Sequence, residues 1–356
     1  MKRSTGFGLL ALAAVSAVSA ASAQTPDTPG TMGPQEAIDA CRALENPLER
    51  LACYDAIPGA SVTGGPAEVP TDVADEGEEL PGPLFGDRHE TPLSRTRMTR
   101  RWELDDATHG GLFRVRRHEP VYALPVRYST RPNRQPVSPS LGSTAPKTLD
   151  SIEAKFQVSL KTKLADNLIG DNGDVWVGYT QQSSWQAYDS DDSEPFRETN
   201  YSPEIFATWR TGLDLPGVRW QMLNLGFVHQ SNGQSEPDSR SWNRLYADFG
   251  FERGNWTFHV RPWLRVEASG RDDNPDIEEY LGHGDFKAIW RGGRHDVALT
   301  ARYAAGHGRG ALQLDWHYPL IGDLKAYLQV FTGYGESLID YNHRQTTIGL
   351  GVSLVQ

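Results

Sequence analysis

Residues 223–251 read LNLGFVHQSNGQSEPDSRSWNRLYADFGF. Leu223, Leu225, Phe227, His229 and Ser231 fall on alternate positions, as do Asn243, Leu245, Ala247, Phe249 and Phe251. A period of two places each set on one face of an extended strand. A turn centred near Glu236 sets Asn243 directly opposite His229. His, Ser and Asn then share a face that is otherwise apolar.

The same alternation recurs on both sides of this hairpin. Phe156, Val158 and Leu160 alternate with polar residues that include Lys161. Trp256, Phe258, Val260, Pro262, Leu264 and Val266 alternate with Thr257, His259, Arg261 and Arg265. Val297, Leu299, Ala301 and Tyr303 follow, then Ile348, Leu350, Val352 and Leu354. About twelve such strands can be drawn, near 119–129, 152–164, 174–186, 200–213, 219–231, 241–252, 255–268, 279–290, 296–306, 310–318, 324–335 and 342–355. An even number with these lengths suits a tilted crossing of a bilayer. The expected fold is therefore all-β, a twelve-stranded antiparallel transmembrane β-barrel over residues 112–356. The apolar face meets lipid and the charged face lines the interior. If both ends are periplasmic, the longer loops 130–151 and 187–199 are extracellular. Trp176, Trp185, Trp220, Trp242, Trp256 and Trp263, near strand ends, are candidates for interfacial girdles.

Composition narrows the class. The chain has 356 residues, 35 Gly, 23 Pro, 10 Trp and a formal charge of −11. Its first 23 residues hold Lys2 and Arg3 and no acid, so removing them gives −11 − 2 = −13. That balance argues against nucleic acid as a partner, which calls for a basic stripe. No run of 18 apolar residues follows the N-terminus, which excludes a helical membrane protein.

Lys2 and Arg3, an apolar stretch from Phe7 to Val18 and then Ala21-Ser22-Ala23 read as an export signal over 1–23. Residues 24–57 are expected to form a small helical hairpin, periplasmic, with Cys41 and Cys53 joined in a disulfide as an oxidising compartment favours. Residues 58–111 are expected to be a disordered linker. Within it, 66–87 has seven acids and no base and too little apolar surface to offset its ordering entropy. Arg88–Arg117 holds eight arginines, read as a solvated or membrane-adjacent face, with an anionic-lipid site as the alternative.

The three polar residues of the hairpin are the parts of an acyl-transfer site. A serine hydroxyl is a poor nucleophile until an imidazole takes its proton. The imidazole needs a third group to fix its tautomer, and an amide oxygen suffices. Taken alone, His-x-Ser reads as an interfacial histidine and a loop-entry serine. Asn243 on the matching face narrows that reading.

His229-Gln230-Ser231-Asn232-Gly233 followed by Ser239-Arg240-Ser241-Trp242-Asn243-Arg244-Leu245-Tyr246 resembles the signature of the outer membrane phospholipase A family. Phe196–Tyr201 (FRETNY), Asp272–Ile277 (DDNPDI) and Gly333–Asn342 (GYGESLIDYN) resemble it too. The resemblance covers about 112–356. It implies a twelve-stranded barrel with its active site on the outer wall, Ser231 as nucleophile, His229 as general base and Asn243 as the orienting residue. It also implies calcium, a homodimer when active, and glycerophospholipid and lysophospholipid substrates. By motif position the calcium contacts fall on Ser193, Gln234, Ser239 and Asp273, and Gly233 offers the oxyanion N–H. Gln234 stands where the family often has Arg, and Glu236 where Asp is common. The chain ends Ser353-Leu354-Val355-Gln356, without the terminal aromatic usual in such barrels.

Two other readings stay open on sequence alone. One is a non-catalytic barrel, either a porin-like channel or a scaffold, with Arg261, Arg265 and Arg302 lining a pore or forming an interior ion-pair network. The other is a secreted serine hydrolase on a β-sandwich, which leaves the regular apolar faces unexplained.

Overall fold

The computed structural model describes residues 34–44, 53, 96–190, 195–267 and 270–354. The chain divides into two compact units, Met1–Gly77 and Glu78–Gln356. In the first, a helix spans Pro34–Arg42 and Cys41 is bonded to Cys53. The expected export signal, most of the second arm of the expected hairpin and most of the expected linker lie outside the described residues, so one helix, and not a hairpin, is what the structure supports there.

In the second unit the alternation closes into a ring. The strands are β1 (Val115–Arg117), β2 (Val121–Ser129), β3 (Val137–Ser138), β4 (Gly142–Ser143), β5 (Ile152–Ala165), β6 (Asp174–Trp185), β7 (Phe196–Leu215), β8 (Val218–Ser231), β9 (Ser241–Arg253), β10 (Trp256–Val266), β11 (Gly284–Gly292), β12 (His295–Ala304), β13 (Arg309–Ile321), β14 (Leu324–Tyr334) and β15 (Arg344–Leu354). β5 to β15 pair antiparallel in chain order, and β15 with β2 and β2 with β5 complete the circle. β2 and β5–β15 are the twelve expected strands. A closed ring leaves no backbone donor row facing lipid.

The pattern of exposure tells lipid from water. In β15, Gln345, Thr347 and Gly349 are buried, whereas Ile348 and Leu350 are exposed. In β13, Asp315 and His317 are buried while Leu312, Leu314 and Trp316 face outward. Apolar outside and polar inside is the reverse of a soluble protein and is what a hydrocarbon surround requires.

The interior is held by ion pairs. Lys163 sits 2.7 Å from Asp174 and 3.0 Å from Glu103. Arg127 pairs with Glu153 and Glu336, and Arg197 lies 2.9 Å from both Glu153 and Asp340. Buried charge is tolerable only when paired in this way. Arg261 donates to Asp248 at 3.2 Å, Arg265 to Asp272 at 2.6 Å and Arg302 to the Gly335 carbonyl at 3.1 Å. The three arginines expected either to line a pore or to join a network are therefore committed to bonds.

Both ends of the bore are filled. At the end carrying the short turns, a helix over Arg97–Trp102 inserts Met98 and Trp102 into a cluster with Trp176, Phe206 and Met222. Thr96 caps it, its Oγ1 accepting from the Thr99 N–H at 3.1 Å. The Lys161 ammonium lies 3.4 Å from the Trp102 ring centroid and donates to the Arg101 carbonyl at 3.0 Å. The expected linker reaches 111, yet its last part is built into the barrel, because Trp102 and Leu104 find buried apolar partners there. At the other end the loop between β14 and β15 folds inward. Its Leu338 N–H donates to Asn200 at 2.9 Å and its Ile339 N–H to Glu198 at 3.1 Å. Burial alone would raise the Asp340 carboxyl, but Arg197 and the Ser337 hydroxyl hold it below its ordinary value. Glu336 is likewise held low, by Arg127 and Lys155, against its burial.

Two expectations need correction. The strand expected at 279–290 begins at Gly284, and Glu278–Leu281 is a short helix. Gly282, with φ +68°, breaks the extended run, and Leu281 is buried against the inward loop at Gly335. Trp176, Trp242 and Trp263 are no girdle residues, since they lie in the interior cluster. Their parity in the strands is the inward one. Trp185 and Trp256 have the outward parity, whereas Trp220 has the parity of buried Met222 and is set opposite Phe251 only by the bulge between Trp220 and Met222.

Candidate functional site

The pairing of β8 with β9 sets His229 opposite Asn243 and Ser231 opposite Ser241. The turn is thus centred on Glu236, as the alternation requires. His229 Nδ1 and Asn243 Oδ1 are 2.7 Å apart. An amide oxygen only accepts, so Nδ1 carries the proton and Nε2 is left as the basic nitrogen. Ser231, two positions along the same strand, shares the face of His229. Among the described residues its hydroxyl makes no hydrogen bond, and Ser–His contacts in ligand-free sites are often loose. Around these three, Leu225, Phe227 and Leu245 are exposed on the outer wall. Polar side chains on such a wall carry a cost, so a cluster of them calls for a function.

The opposite side of the two strands carries a clamp. Gln230 stands between His229 and Ser231, and its Oε1 accepts from Trp242 Nε1 at 2.9 Å and from Arg244 Nη2 at 3.0 Å. Trp242 and Arg244 are the residues on either side of Asn243. The Arg244 guanidinium lies 4.0 Å from the Trp242 ring centroid and 5.2 Å from that of Trp263. Interior bonds therefore join the neighbours of His229 and Ser231 to the neighbours of Asn243, and resist a slip of register. The alternation that marks the outer face also marks these three residues as inward, which was the available signal for them.

The loop after Ser231 is tightly held. The Asn232 N–H donates to the Arg240 carbonyl at 3.0 Å, and Asn232 Oδ1 accepts from the Arg240 N–H at 2.9 Å. Gly233 has φ +63°, and a Cβ there would lie 3.1 Å from the Tyr201 ring, so glycine suits the position on both counts. Its N–H meets no acceptor among the described residues.

Of the four expected calcium positions, two come together: Ser239 Oγ donates to Asp273 Oδ2 at 2.6 Å. Gln234 turns its amide nitrogen to Glu198 at 3.0 Å instead. Ser193 lies outside the described residues. Among the described residues no group of three or more His, Cys, Asp or Glu could hold a metal. The donor chemistry nonetheless fits a hard cation: a carboxylate, a hydroxyl, an amide and nearby carbonyls, all oxygen. Asp238, in the same loop, keeps Oδ1 buried with no hydrogen-bond partner among the described residues.

Comparison with known proteins adds independent information. The family model described as phospholipase A1 matches residues 98–354. The putative phospholipase A1 of Neisseria meningitidis serogroup B is 40% identical over 352 residues, covering 88% of this chain and 89% of that protein. The phospholipase A1 of Escherichia coli K12 is 43% identical over 202 residues, covering 57% and 69%. The solved structure of outer membrane phospholipase A from Escherichia coli matches with a TM-score of 0.62 at 35% identity, covering 68% of this chain and 99% of that one. The Salmonella typhi outer membrane phospholipase, solved as a dimer with bound calcium, matches with a TM-score of 0.62 at 34% identity, covering 70% and 94%.

Proposed function

The chain belongs to the phospholipase A1 family of outer membrane β-barrels, and from that premise we propose that Ser231, His229 and Asn243 perform its ester hydrolysis on the lipid-facing wall. It is a carboxylic ester hydrolase of the Gram-negative outer membrane, which sets aside the non-catalytic barrel and the secreted sandwich. The His229–Asn243 hydrogen bond of 2.7 Å carries this reading.

Ser231 Oγ attacks the acyl carbonyl while His229 Nε2 takes its proton. The carbon–oxygen bond to glycerol breaks, and His229 returns the proton to the departing oxygen, releasing lysophospholipid. Water then attacks the acyl-enzyme, again losing a proton to His229. The fatty acid leaves and Ser231 recovers its hydrogen. Asn243 orients the imidazole and carries no net charge into lipid. The Gly233 N–H offers a donor to the oxyanion, an interaction whose loss typically costs about 10²–10³ in rate. The acyl chains run along Leu225, Phe227 and Leu245.

Gln234, Ser239 and Asp273 are the residues to hold calcium, with Ser193 from a second copy. The ion would supply positive charge beside the oxyanion when bound. Requiring a dimer gives the cell a control on an enzyme that could attack its own membrane. Cross-linking should find the active form dimeric, and a strictly monomeric active form rejects that part. The central test is fatty-acid release from phospholipid vesicles, with and without a calcium chelator. Wild type should lose activity to the chelator, and Ser231→Ala should lose about 10⁴-fold or more with calcium present. Equal release by both proteins rejects the assignment.

A further inference from the structure

The ester bond sits at Ser231 and the acyl chains follow the apolar wall, so the phosphate-bearing end of the lipid must leave in another direction. An open groove of about 1100 Å³ runs beside the nucleophile on the side away from Asn243. Tyr201, the cross-strand partner of Ser231, lines it, as do Gly233 and Gln234. Phe196, 57% exposed and stacked on Trp185 at 5.5 Å, borders it too. Exposed aromatics at strand ends mark the level where lipid meets water. The groove therefore starts at the reacting ester and opens among polar loops at the membrane surface.

Among the described residues four charged side chains line it: the cations Arg197 and Lys147 and the acids Asp150 and Asp189. Arg197 is committed to Glu153 and Asp340, at 2.9 Å each. Lys147 is half-exposed, with Nζ 2.8 Å from Asp238 Oδ2 on the loop that carries Gly233. An ammonium has three donors, so one bond to Asp238 leaves two for another anion. Asp150, three positions on, is exposed in the same lining.

We propose that this groove receives the head group of a zwitterionic glycerophospholipid, its phosphate diester meeting Lys147 and its ammonium meeting Asp150. The proposal rests on Ser231 being the nucleophile, which fixes where the head group begins. Lys147 selects the substrate and takes no part in the proton transfers.

The test measures kcat and KM in detergent micelles with saturating calcium on three substrates: phosphatidylethanolamine, phosphatidylglycerol and a long-chain neutral ester lacking phosphate. Lys147→Glu should lower the ratio of kcat/KM on phospholipid to that on the neutral ester by roughly five- to tenfold, mostly through KM. Lys147→Arg should restore it. Asp150→Asn should lower phosphatidylethanolamine against phosphatidylglycerol about two- to threefold. An unchanged ratio in Lys147→Glu overturns the proposal, and so does an equal loss on the neutral ester, since Lys147 would then serve only to hold the Asp238 loop. Ser231→Ala, run in parallel, separates the two readings. If it hydrolyses these lipids, both fall. If it is inert while Lys147→Glu keeps the wild-type ratio, the groove alone falls.

Discussion

Among the histidines of this barrel that bond to side-chain oxygens, three set inside against outside: His118 and His259 within, His229 on the outer wall. Inside, His118 meets Glu204 at 2.7 Å and His259 meets Asp248 at 3.1 Å. Each carboxylate has further partners: Tyr246 on Glu204 at 2.6 Å and Arg261 on Asp248 at 3.2 Å. Outside, His229 is held by the neutral amide of Asn243. A carboxylate is tolerable where arginine and tyrosine surround it. On a wall facing hydrocarbon the same charge is exposed to a medium that cannot solvate it; an arginine or lysine there costs about 2–4 kcal/mol near the bilayer midplane, and a carboxylate costs less but is still unfavourable, the cost falling toward the rim. An amide fixes the imidazole without that cost. The interior pairs serve the fold, and the exterior pair lies on the wall where we propose that substrate binds.

The comparison can be broken at its strongest point first. Asn243→Ala should lower kcat/KM by roughly 10²–10³, because the imidazole loses its tautomer lock. Asn243→Asp should retain more activity than Asn243→Ala, and steady-state hydrolysis of phospholipid in micelles reads both. If the alanine variant matches wild type, the outer pair has no role in the chemistry.

Arg244→Leu probes the coupling between the two sides. It removes one donor to Gln230 and should cost about tenfold in kcat with little change in KM. Arg244→Lys should recover part of the loss, since an ammonium can still donate. A loss confined to stability, with kcat intact, would sever the inner clamp from the triad.

His118→Gln should change kcat/KM by less than about twofold while lowering stability by about 1–3 kcal/mol, the cost of a buried hydrogen bond left unmade. The urea midpoint in detergent measures it. An activity loss equal to that of Asn243→Ala would erase the distinction between inside and outside.

The smallest effect concerns acid. Glu336 and Asp340 are held below their ordinary values of 4.5 and 3.8. A carboxyl lowered by folding stabilises the folded state above its unfolded value, and that contribution is lost as pH falls through the folded one. The inward loop should therefore be firm at neutral pH and weaken as pH drops through and below about 4. Asp340→Asn should flatten the dependence of the urea midpoint on pH between 3 and 6. An unaltered slope would show that Asp340 adds nothing to it.

The barrel was legible because lipid on one side imposes strict alternation over long stretches. Twelve runs of it were enough to count the strands and to centre the turn on Glu236. Legibility ended where tertiary packing replaces that alternation. The Arg97–Trp102 helix lies in a charged segment whose few apolar residues, Met98, Trp102 and Leu104, gain their value only inside the ring. Glu278–Leu281, two acids followed by two apolar residues, has no alternation of its own and coils where Leu281 packs on the inward loop. Trp242 and Trp263 looked like girdle residues from their place near strand ends, whereas their parity sends them inward. His229, Ser231 and Asn243 could be found because polar residues break an apolar face. Lys147 and Asp150 could not, since a loop lysine and a loop aspartate look the same whether or not a groove lies beside them.

The occupied bore has a consequence for the cell. Small ions crossing a porin follow a wetted, charged track, and here that track is filled by Trp102 at one mouth, Leu338 at the other and crossed ion pairs between them. Copies of the protein can stand idle in the bilayer without acting as leaks. The osmotic barrier is left to the lipids, and with Ser231 as the proposed nucleophile the harm this hydrolase can do is confined to its outer flank.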